Sequence, residues 1–244
     1  MISINKCRNT VLFLLEKNNR GFIKPMAFDT FCELAQMDIF ENLFFKYNKW
    51  LLNEGKHLTG VEYADIPENI REQIDTFAEY STEANFTYDD TTKLWSYNGN
   101  DLYRVEGLSL INPSGSKKVD VEKVSKGHEL NNLINSTINP PTTTFPIYTK
   151  IGTGFRVYPT VPTGYKLELF YIRTPKTPKW TYTLVQGNPI YNASASDKQD
   201  IELDESLFVE FIIKVMGYCG VSIREQDVVA AAANTEVTNE QKQS

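Results

Sequence analysis

The hydrophobic residues in the middle of the chain, residues 84–199, recur largely with a period of two. In residues 165–173, for example, Leu167, Leu169 and Tyr171 alternate with other side chains, and Gly and Pro residues bound the run. Such alternation between turn-forming residues is typical of half-buried antiparallel strands and indicates a β-sandwich. The predicted strands are 86–88, 94–97, 102–111, 117–124, 146–151, 155–158, 165–173, 180–185 and 189–192.

Two local signals inside this region predict further features. Asn98-Gly99 stands between two β-like runs and predicts the turn of a hairpin that joins them. Residues 125–135 predict a short inserted helix, with Ser125 as its N-cap.

Apolar residues at both ends of the chain have helical spacing instead. Ser3 and Asp204 are predicted N-caps, because their side-chain oxygens can accept the first free N–H groups of a helix. The predicted helices are 3–19, 25–52, 65–80 and a last one from 204 onward.

The helix predicted over residues 25–52 is apolar on more than one face. A helix with so wide an apolar arc is buried by more than one neighbour, and one neighbour of this helix could be a second copy of the protein. We therefore predict that Phe40, Phe44, Tyr47 and Trp50 pack between subunits.

These patterns together predict an α+β fold. Residues 1–83 and 200–235 form a helical bundle, which carries an antiparallel β-sandwich over residues 84–199. Residues 236–244 are polar and predict a flexible tail. No apolar run approaches the ~18 residues of a membrane span, so we expect no membrane partner.

The charge balance narrows the classes of partner. With 25 Lys and Arg against 31 Asp and Glu, the formal net charge is −6, which disfavours non-specific binding of DNA or anionic membranes. Arg173, Lys176 and Lys179 make a small basic strip, which we interpret as a solvated strand end.

Cysteine usage indicates a reducing compartment. Cys7, Cys32 and Cys219 are odd in number, widely spaced and each in an apolar context. This pattern predicts buried, reduced thiols rather than a disulfide framework.

The sequence carries no recognisable catalytic motif: it has no Gly-rich phosphate loop, GxSxG, HExxH or CxxC. The histidines, His57 and His128, are expected at the surface. Asp89, Asp90 and Asp101 could be imagined as a calcium site, but paired aspartates usually form turns. We therefore predict a non-enzymatic protein without cofactor or metal.

A carbohydrate site has candidate residues as well. Glu168 would be the first carboxylate to suspect in glycoside hydrolysis, although an exposed sheet residue is its simpler role. Trp95, Tyr97, Tyr103 and Tyr158 could form a sugar-stacking platform, with core packing or a subunit contact as the favoured interpretation.

Two stretches and the order of elements resemble a known family. INKCRNTVLFLLEKNNRGFIKPMAFDTFCELAQMDIFENLFFKYN (residues 4–48) and GFRVYPTVPTGYKLELFYIRTPKTPKW (residues 154–180) look like head-to-tail connector proteins, also called portal adaptors or ring proteins, of short-tailed, crAss-like phages. The helix that begins near Asp204 completes the pattern. Residues 117–141 match nothing in that family.

The resemblance implies a virion structural protein at the head–tail junction, assembled in the bacterial host cytoplasm. Such proteins form a twelve-subunit ring under the portal protein, extend the DNA channel and support further tail or ring proteins. The implied partners are other copies of the chain, the portal, later tail components and double-stranded DNA in transit. An acidic total suits a channel through which DNA slides.

The resemblance also implies a docking segment near the C-terminus. An Ala-rich helix there would order when it binds the portal. We predict that Val228, Val229, Ala230, Ala232 and Ala233 make this contact.

Two other classes of protein remain open. A receptor- or carbohydrate-binding tail module would use the sandwich loops, but such modules seldom have long helices at both ends. A tail hydrolase is the weakest alternative, because no acid/base constellation or nucleophile can be named.

Overall fold

The computed structural model describes residues 1–17, 23–53, 65–81, 85–99, 101–115, 117–161 and 164–222. The chain divides into two compact units: Met1–Ile74 with Pro175–Ser244 form the first, and Asp75–Thr174 form the second. Helices and mainly antiparallel sheets are both present, so the predicted α+β class is confirmed.

Five α-helices and eleven strands occur in the described residues. The helices are α1 Ile4–Lys17, α2 Pro25–Asn53, α3 Asp65–Asp75, α4 Gly127–Ile134 and α5 Phe208–Ser222. The strands are β1 Ala78–Ser81, β2 Phe86–Asp89, β3 Leu94–Tyr97, β4 Leu102–Ile111, β5 Lys118–Asp120, β6 Glu122–Lys123, β7 Ile147–Ile151, β8 Gly154–Tyr158, β9 Lys166–Arg173, β10 Tyr182–Val185 and β11 Asn188–Tyr191.

Two helix starts have the capping residues that the sequence predicts. The Lys6 backbone N–H donates to the Ser3 hydroxyl at 3.5 Å, just before the body of α1. The Asp204 carboxylate accepts the Ser206 N–H at 2.9 Å and opens a short 3₁₀ turn that leads into α5. Both predicted N-caps are confirmed, because each oxygen accepts an N–H group that the helix itself leaves free.

The first unit has α2 in contact with α5, and α1 in contact with α5. Lys214 of α5 lies 2.7 Å from the Asp38 carboxylate of α2. The buried side chains of these helices include Ile4, Cys7, Val11, Phe28, Cys32, Ile39, Phe40, Leu43, Phe211, Val215 and Cys219.

All three cysteines are free and buried in this helical core, which confirms the predicted thiols. Burial raises the pKa of the Cys7 and Cys219 thiols from 9.0 to about 12, and raises that of Cys32 as well. The thiolate form is therefore suppressed at neutral pH.

Thiol labelling should show this suppression directly. At about pH 8 the thiolate fractions of Cys7 and Cys219 should be roughly a thousandfold lower than in the unfolded chain. The reason is that the pKa of each thiol is about three units higher in the folded protein than in the unfolded chain. A chromogenic disulfide reagent should react slowly with the native protein and quickly with the protein in denaturant. Fast labelling of the native protein would contradict the buried placement.

The second unit contains two facing sheets. One has four strands in the order β1-β9-β4-β5, and the other has five in the order β2-β3-β8-β7-β6. All pairs are antiparallel except the parallel pair β6–β7. The chain passes from one sheet to the other at Val121, between β5 and β6. The shared core is Tyr97, Leu108, Leu110, Val121, Tyr148, Phe155, Val157, Val161, Leu167, Leu169 and Tyr171.

The alternation predicted for residues 165–173 is confirmed in β9. Leu167 and Leu169 are fully buried and Tyr171 is 3% exposed, all on the core face. The intervening positions of β9 up to Phe170 lie on the other face of the sheet, as a pleated strand requires.

Three local predictions are wrong. The helix over 65–80 ends at Asp75, because residues 78–81 pair with β9 as an edge strand. Asn98-Gly99 does not join a hairpin, because β3 pairs with β2 and β8 while β4 pairs with β5 and β9. The N-cap position of α4 is Lys126, without a side-chain cap, rather than Ser125.

The strands at 182–191 do not join the sandwich. They form a separate two-stranded sheet, β10–β11, within the first unit, and the sandwich unit is Asp75–Thr174 rather than 84–199. Among the described residues, no helix is both long and apolar enough to cross a membrane.

Candidate interaction surface

The β10–β11 hairpin is built by a two-residue turn. Tyr182 pairs with Tyr191 and Val185 pairs with Asn188, so that Gln186 and Gly187 form the connection. Both turn residues have positive φ, 51° and 82°. Two consecutive positive φ values are typical of the type I′ turn, whose twist matches that of the strands it joins.

The hairpin exposes apolar side chains and carries no charged residue. Leu184 is 68% exposed, Val185 49% and Ile190 50%. The chain from residue 180 to residue 196 contains no Asp, Glu, Lys or Arg. Exposed strands are usually protected by charged residues, so an uncharged hairpin with exposed apolar side chains is a candidate interaction surface.

Trp180 anchors the hairpin to the helices. Its ring is 3% exposed and stacks on the rings of Tyr182 and Tyr191, with centroids 5.5 Å and 6.0 Å away. The guanidinium carbon of Arg8 lies 3.9 Å from the Trp180 ring centroid, a cation–π contact. The indole N–H donates to the Asn5 side chain of α1 at 3.1 Å. The base of the hairpin is thereby fixed while its tip is exposed.

The backbone of Trp180 is held by α2. Its N–H donates to the Asp29 carboxylate at 2.9 Å. Burial raises the pKa of Asp29 from 3.8 to about 6, against the lowering effects of this hydrogen bond and of the charges of Lys179 and Arg8. Burial also lowers the pKa of Arg8.

Asp29 should make the stability of the protein depend on pH. Because its folded pKa is raised, its proton-linked stabilisation is complete below pH 3.8 and is lost as pH rises through about 6. Acidification between these values should stabilise the wild type relative to Asp29→Asn, by roughly 1 kcal/mol because the carboxylate is partly solvated. Urea unfolding of both proteins across this range measures the difference. Parallel pH profiles would contradict the assignment.

A second network, built on the buried side chains of Gln36 and Glu202, holds the chain on either side of the hairpin. The Gln36 amide donates to the Lys176 carbonyl at 2.9 Å and accepts the Glu202 N–H at 3.0 Å. The Lys176 N–H donates to the Glu202 carboxylate at 2.8 Å. Gln36 and Glu202 are 1% and 2% exposed. One side chain of α2 therefore ties together the segments that enter and leave the hairpin.

The outer face of α2 carries two exposed apolar side chains, with the exposed carboxylates of Asp38 and Glu41 between them. Leu34 is 47% exposed and Phe45 66%. They are eleven residues apart, close to three helical turns, so they lie in one row on the side opposite the buried residues. Sequence reasoning missed this row, although its spacing is visible in the sequence.

The residues predicted for subunit packing lie elsewhere on α2. Phe40 and Phe44 are 0% and 8% exposed, with ring centroids 5.1 Å apart, so they have little surface to offer a neighbouring subunit. Tyr47 is half-buried. The Trp50 side chain lies outside the described part of the structure, as do the predicted portal-docking residues at 228–233.

A groove lies beside the hairpin. Its volume is about 410 Å³. It is lined by Pro25 at the start of α2 and by Tyr182, Leu184, Gly187, Asn188 and Pro189 of the hairpin. None of the described residues that line the groove is charged, so the uncharged character of the hairpin continues to Pro25 at the start of α2.

The aromatic residues suggested for a sugar platform are not gathered on one surface. Tyr97 lies in the sandwich core, where its hydroxyl and that of Tyr171 donate to the Asp101 carboxylate at 3.2 and 3.1 Å. Burial raises the pKa of both tyrosines. Trp95 packs on Tyr88 with centroids 4.6 Å apart. Tyr103 and Tyr158 are partly exposed, on β4 and β8 in different sheets.

The charged candidates have structural partners. Glu168 lies 2.6 Å from Lys118. Asp89 accepts hydrogen bonds from Thr91 and Thr92, which confirms the turn-forming interpretation. No group of three potential metal ligands occurs among the residues that the structure describes.

Two residues of the predicted basic strip have acidic partners. Arg173 pairs with Glu79 at 2.7 Å, and Lys179 pairs with Asp197 at 2.7 Å. His128 is exposed in the first turn of α4, as expected, and His57 lies outside the described residues.

No protein-family model matches the chain. A comparison with curated proteins finds no match either.

Proposed function

We propose that the protein is a structural subunit of a head-to-tail connector ring of a short-tailed phage, which docks under the portal and extends the DNA channel. The observation that carries the proposal is the first unit's uncharged hairpin with its exposed apolar side chains. Ring subunits need apolar surfaces that neighbours cover, whereas a soluble monomer rarely keeps them. The resemblance of residues 4–48 and 154–180 to such connectors supports the same class.

Native mass spectrometry of the purified chain, alone and mixed with its portal protein, tests the proposal. We expect a portal complex whose mass includes a full set of bound subunits, even if the free chain is monomeric. Monomers or trimers that ignore the portal would reject the proposal.

The C-terminal segment should carry the portal contact. Deleting residues 227–244 should abolish portal binding and leave the circular dichroism spectrum and thermal midpoint nearly unchanged, because the deletion begins after α5, which ends at Ser222. Normal portal binding by the truncated chain would exclude Val228, Val229, Ala230, Ala232 and Ala233 as the docking residues.

A receptor- or carbohydrate-binding role is the second candidate, and one surface of the sandwich favours it. Tyr80 is 65% exposed and packs on Phe170 with centroids 4.8 Å apart. Gly107 of β4 pairs with Phe170 of β9, and the Lys118–Glu168 ion pair lies on the same sheet. An aromatic pair beside polar groups can stack on a sugar ring. Glycan-array binding that Tyr80→Ala removes would favour this candidate.

A further inference from the structure

The Asn98-Gly99 pair, which makes no hairpin turn, has a chemical property of its own. It is the one Asn-Gly pair in the sequence. It follows β3 and precedes β4, so it lies where the chain leaves one sheet of the sandwich for the other. Asn98 is exposed, and both residues lie outside helices and strands. An asparagine side chain in such a segment is open to attack by the backbone nitrogen of the next residue.

The fold itself requires glycine at position 99. The side chain of Tyr97, whose hydroxyl donates to Asp101, lies against Gly99. A Cβ at position 99 would lie 2.3 Å from the Tyr97 hydroxyl oxygen, far inside van der Waals contact. Glycine also has the least hindered backbone nitrogen, because it carries no side chain. The packing of Tyr97 therefore keeps after Asn98 the residue that most favours attack on its side chain.

Hydrogen bonds to the region of β2 hold the backbone and the side chain of Asn98. Its N–H donates to the Asn85 carbonyl at 2.9 Å, and its Nδ2 donates to the Thr87 hydroxyl at 2.8 Å. The second bond is at the exposed surface, where water competes for both groups, so it adds little stability. Among the residues that the structure describes, none accepts a hydrogen bond from the Gly99 N–H. The attacking nitrogen is therefore not engaged, and a weak bond holds the amide that would leave.

We propose that Asn98 is a site of spontaneous deamidation in the folded protein and that Thr87 restrains the reaction. Hydroxide takes the proton of the Gly99 N–H, and the nitrogen attacks Cγ of Asn98. The N–Cγ bond forms, the Cγ–Nδ2 bond breaks, and Nδ2 takes a proton from water and leaves as ammonia. Water then opens the resulting cyclic imide at one of its two carbonyls, which gives aspartate or isoaspartate. Nothing is oxidised or reduced: one water enters and one ammonia leaves.

Either product alters the connection between the two sheets. Both add a negative charge, and isoaspartate also adds a methylene group to the backbone between β3 and β4. Tyr97, the residue before the altered position, is buried in the sandwich core. A deamidated chain therefore has a charged or lengthened connection directly beside that core.

Ageing of the purified full chain tests the proposal. The protein is incubated at mildly acidic and at mildly alkaline pH, and peptide mapping by mass spectrometry follows conversion at each asparagine. Asn135-Ser136 is the internal control, because Asn135 is also exposed but serine follows it. We expect Asn98 to convert more than about tenfold faster than Asn135, because glycine leaves the attacking nitrogen unhindered. Conversion should be faster at the higher pH, with isoaspartate among the products.

Two variants test the atoms assigned to the reaction. Thr87→Val keeps a β-branched side chain in β2 but removes the hydroxyl. It should speed the conversion of Asn98 by roughly twofold to fivefold, the effect of losing one exposed hydrogen bond. Asn98→Gln keeps an amide but places it one methylene further from the Gly99 nitrogen, so position 98 should stay unconverted. Circular dichroism checks that both variants fold.

The opposite results would overturn the proposal. If Asn98 converts no faster than Asn135, or converts only in denaturant, it is not a deamidation site of the folded protein. A Thr87→Val protein that converts at the wild-type rate or more slowly would show that Thr87 does not restrain the reaction. Equal conversion of Asn98→Gln would exclude the assigned cyclic imide.

Discussion

Replacing Trp180 with alanine should lower the free energy of unfolding by about 4 kcal/mol, the largest effect that we expect for one residue of the first unit. The ring is almost fully buried, stacks on Tyr182 and Tyr191, and has the Arg8 guanidinium against it. Alanine removes these contacts and leaves a cavity at the base of the hairpin. Urea unfolding monitored by circular dichroism measures the loss.

Two matched variants separate the causes. Trp180→Phe keeps an aromatic ring but loses the indole N–H bond to Asn5, and should cost roughly 1–2 kcal/mol. Leu184→Ala, at the exposed tip of the same hairpin, should change the stability of the monomer by less than about 0.5 kcal/mol. A Trp180→Ala protein as stable as Leu184→Ala would show that the anchor is not needed.

Removing the Gln36 side chain should cost about 3 kcal/mol. Its buried amide joins the part-buried Lys176 carbonyl to the buried Glu202 N–H, and alanine takes away the partner that it supplies to each of these backbone groups. Each such loss costs the desolvation of the group as well as the bond. Chemical denaturation of Gln36→Ala beside the wild type gives the value.

The neighbouring Glu33 offers a control on the same segment. Its carboxylate accepts the Thr177 hydroxyl at 3.2 Å, but at the exposed surface. Glu33→Ala should therefore cost under about 0.5 kcal/mol, because water replaces the lost bond. Gln36→Leu keeps most of the volume and still loses both hydrogen bonds, so it should remain close to Gln36→Ala. If Gln36→Leu is as stable as the wild type, the loss of stability in Gln36→Ala comes from the cavity alone.

Local signals in the sequence predicted many of the elements correctly. The period of two in β9, the helical spacing in α1 and α2, and the caps at Ser3 and Asp204 all depend on neighbours within a few residues. Such features form wherever the chain carries them. The same holds for the three apolar cysteines, whose surroundings in sequence already indicated buried thiols.

Failures occurred where pairing partners are distant in sequence. Residues 78–81 continue the apolar spacing of α3, but they become a strand because β9 pairs with them from ninety residues away. Asn98-Gly99 has hairpin chemistry, yet β3 and β4 belong to different sheets. The helical spacing of residues 78–81 and the turn preference of Asn98-Gly99 are local, and the pairing and burial of a whole strand outweigh them.

Some features of the candidate interaction surface are visible in the sequence, and others depend on the tertiary structure. The absence of charge from residue 180 to residue 196 and the eleven-residue spacing of Leu34 and Phe45 are written in the sequence. Phe44 and Phe45, however, are adjacent and chemically identical, and only the packed helix decides that Phe44 is buried while Phe45 is exposed.

The sequence by itself determined the α+β class, the helix caps, the buried thiols and the run of uncharged residues, because each depends on composition or on short-range spacing. The tertiary structure alone decided which strands pair, that the β10–β11 hairpin belongs with the helices, and which face of α2 is exposed. These outcomes depend on contacts between residues far apart in the chain, whose free energies no local pattern contains.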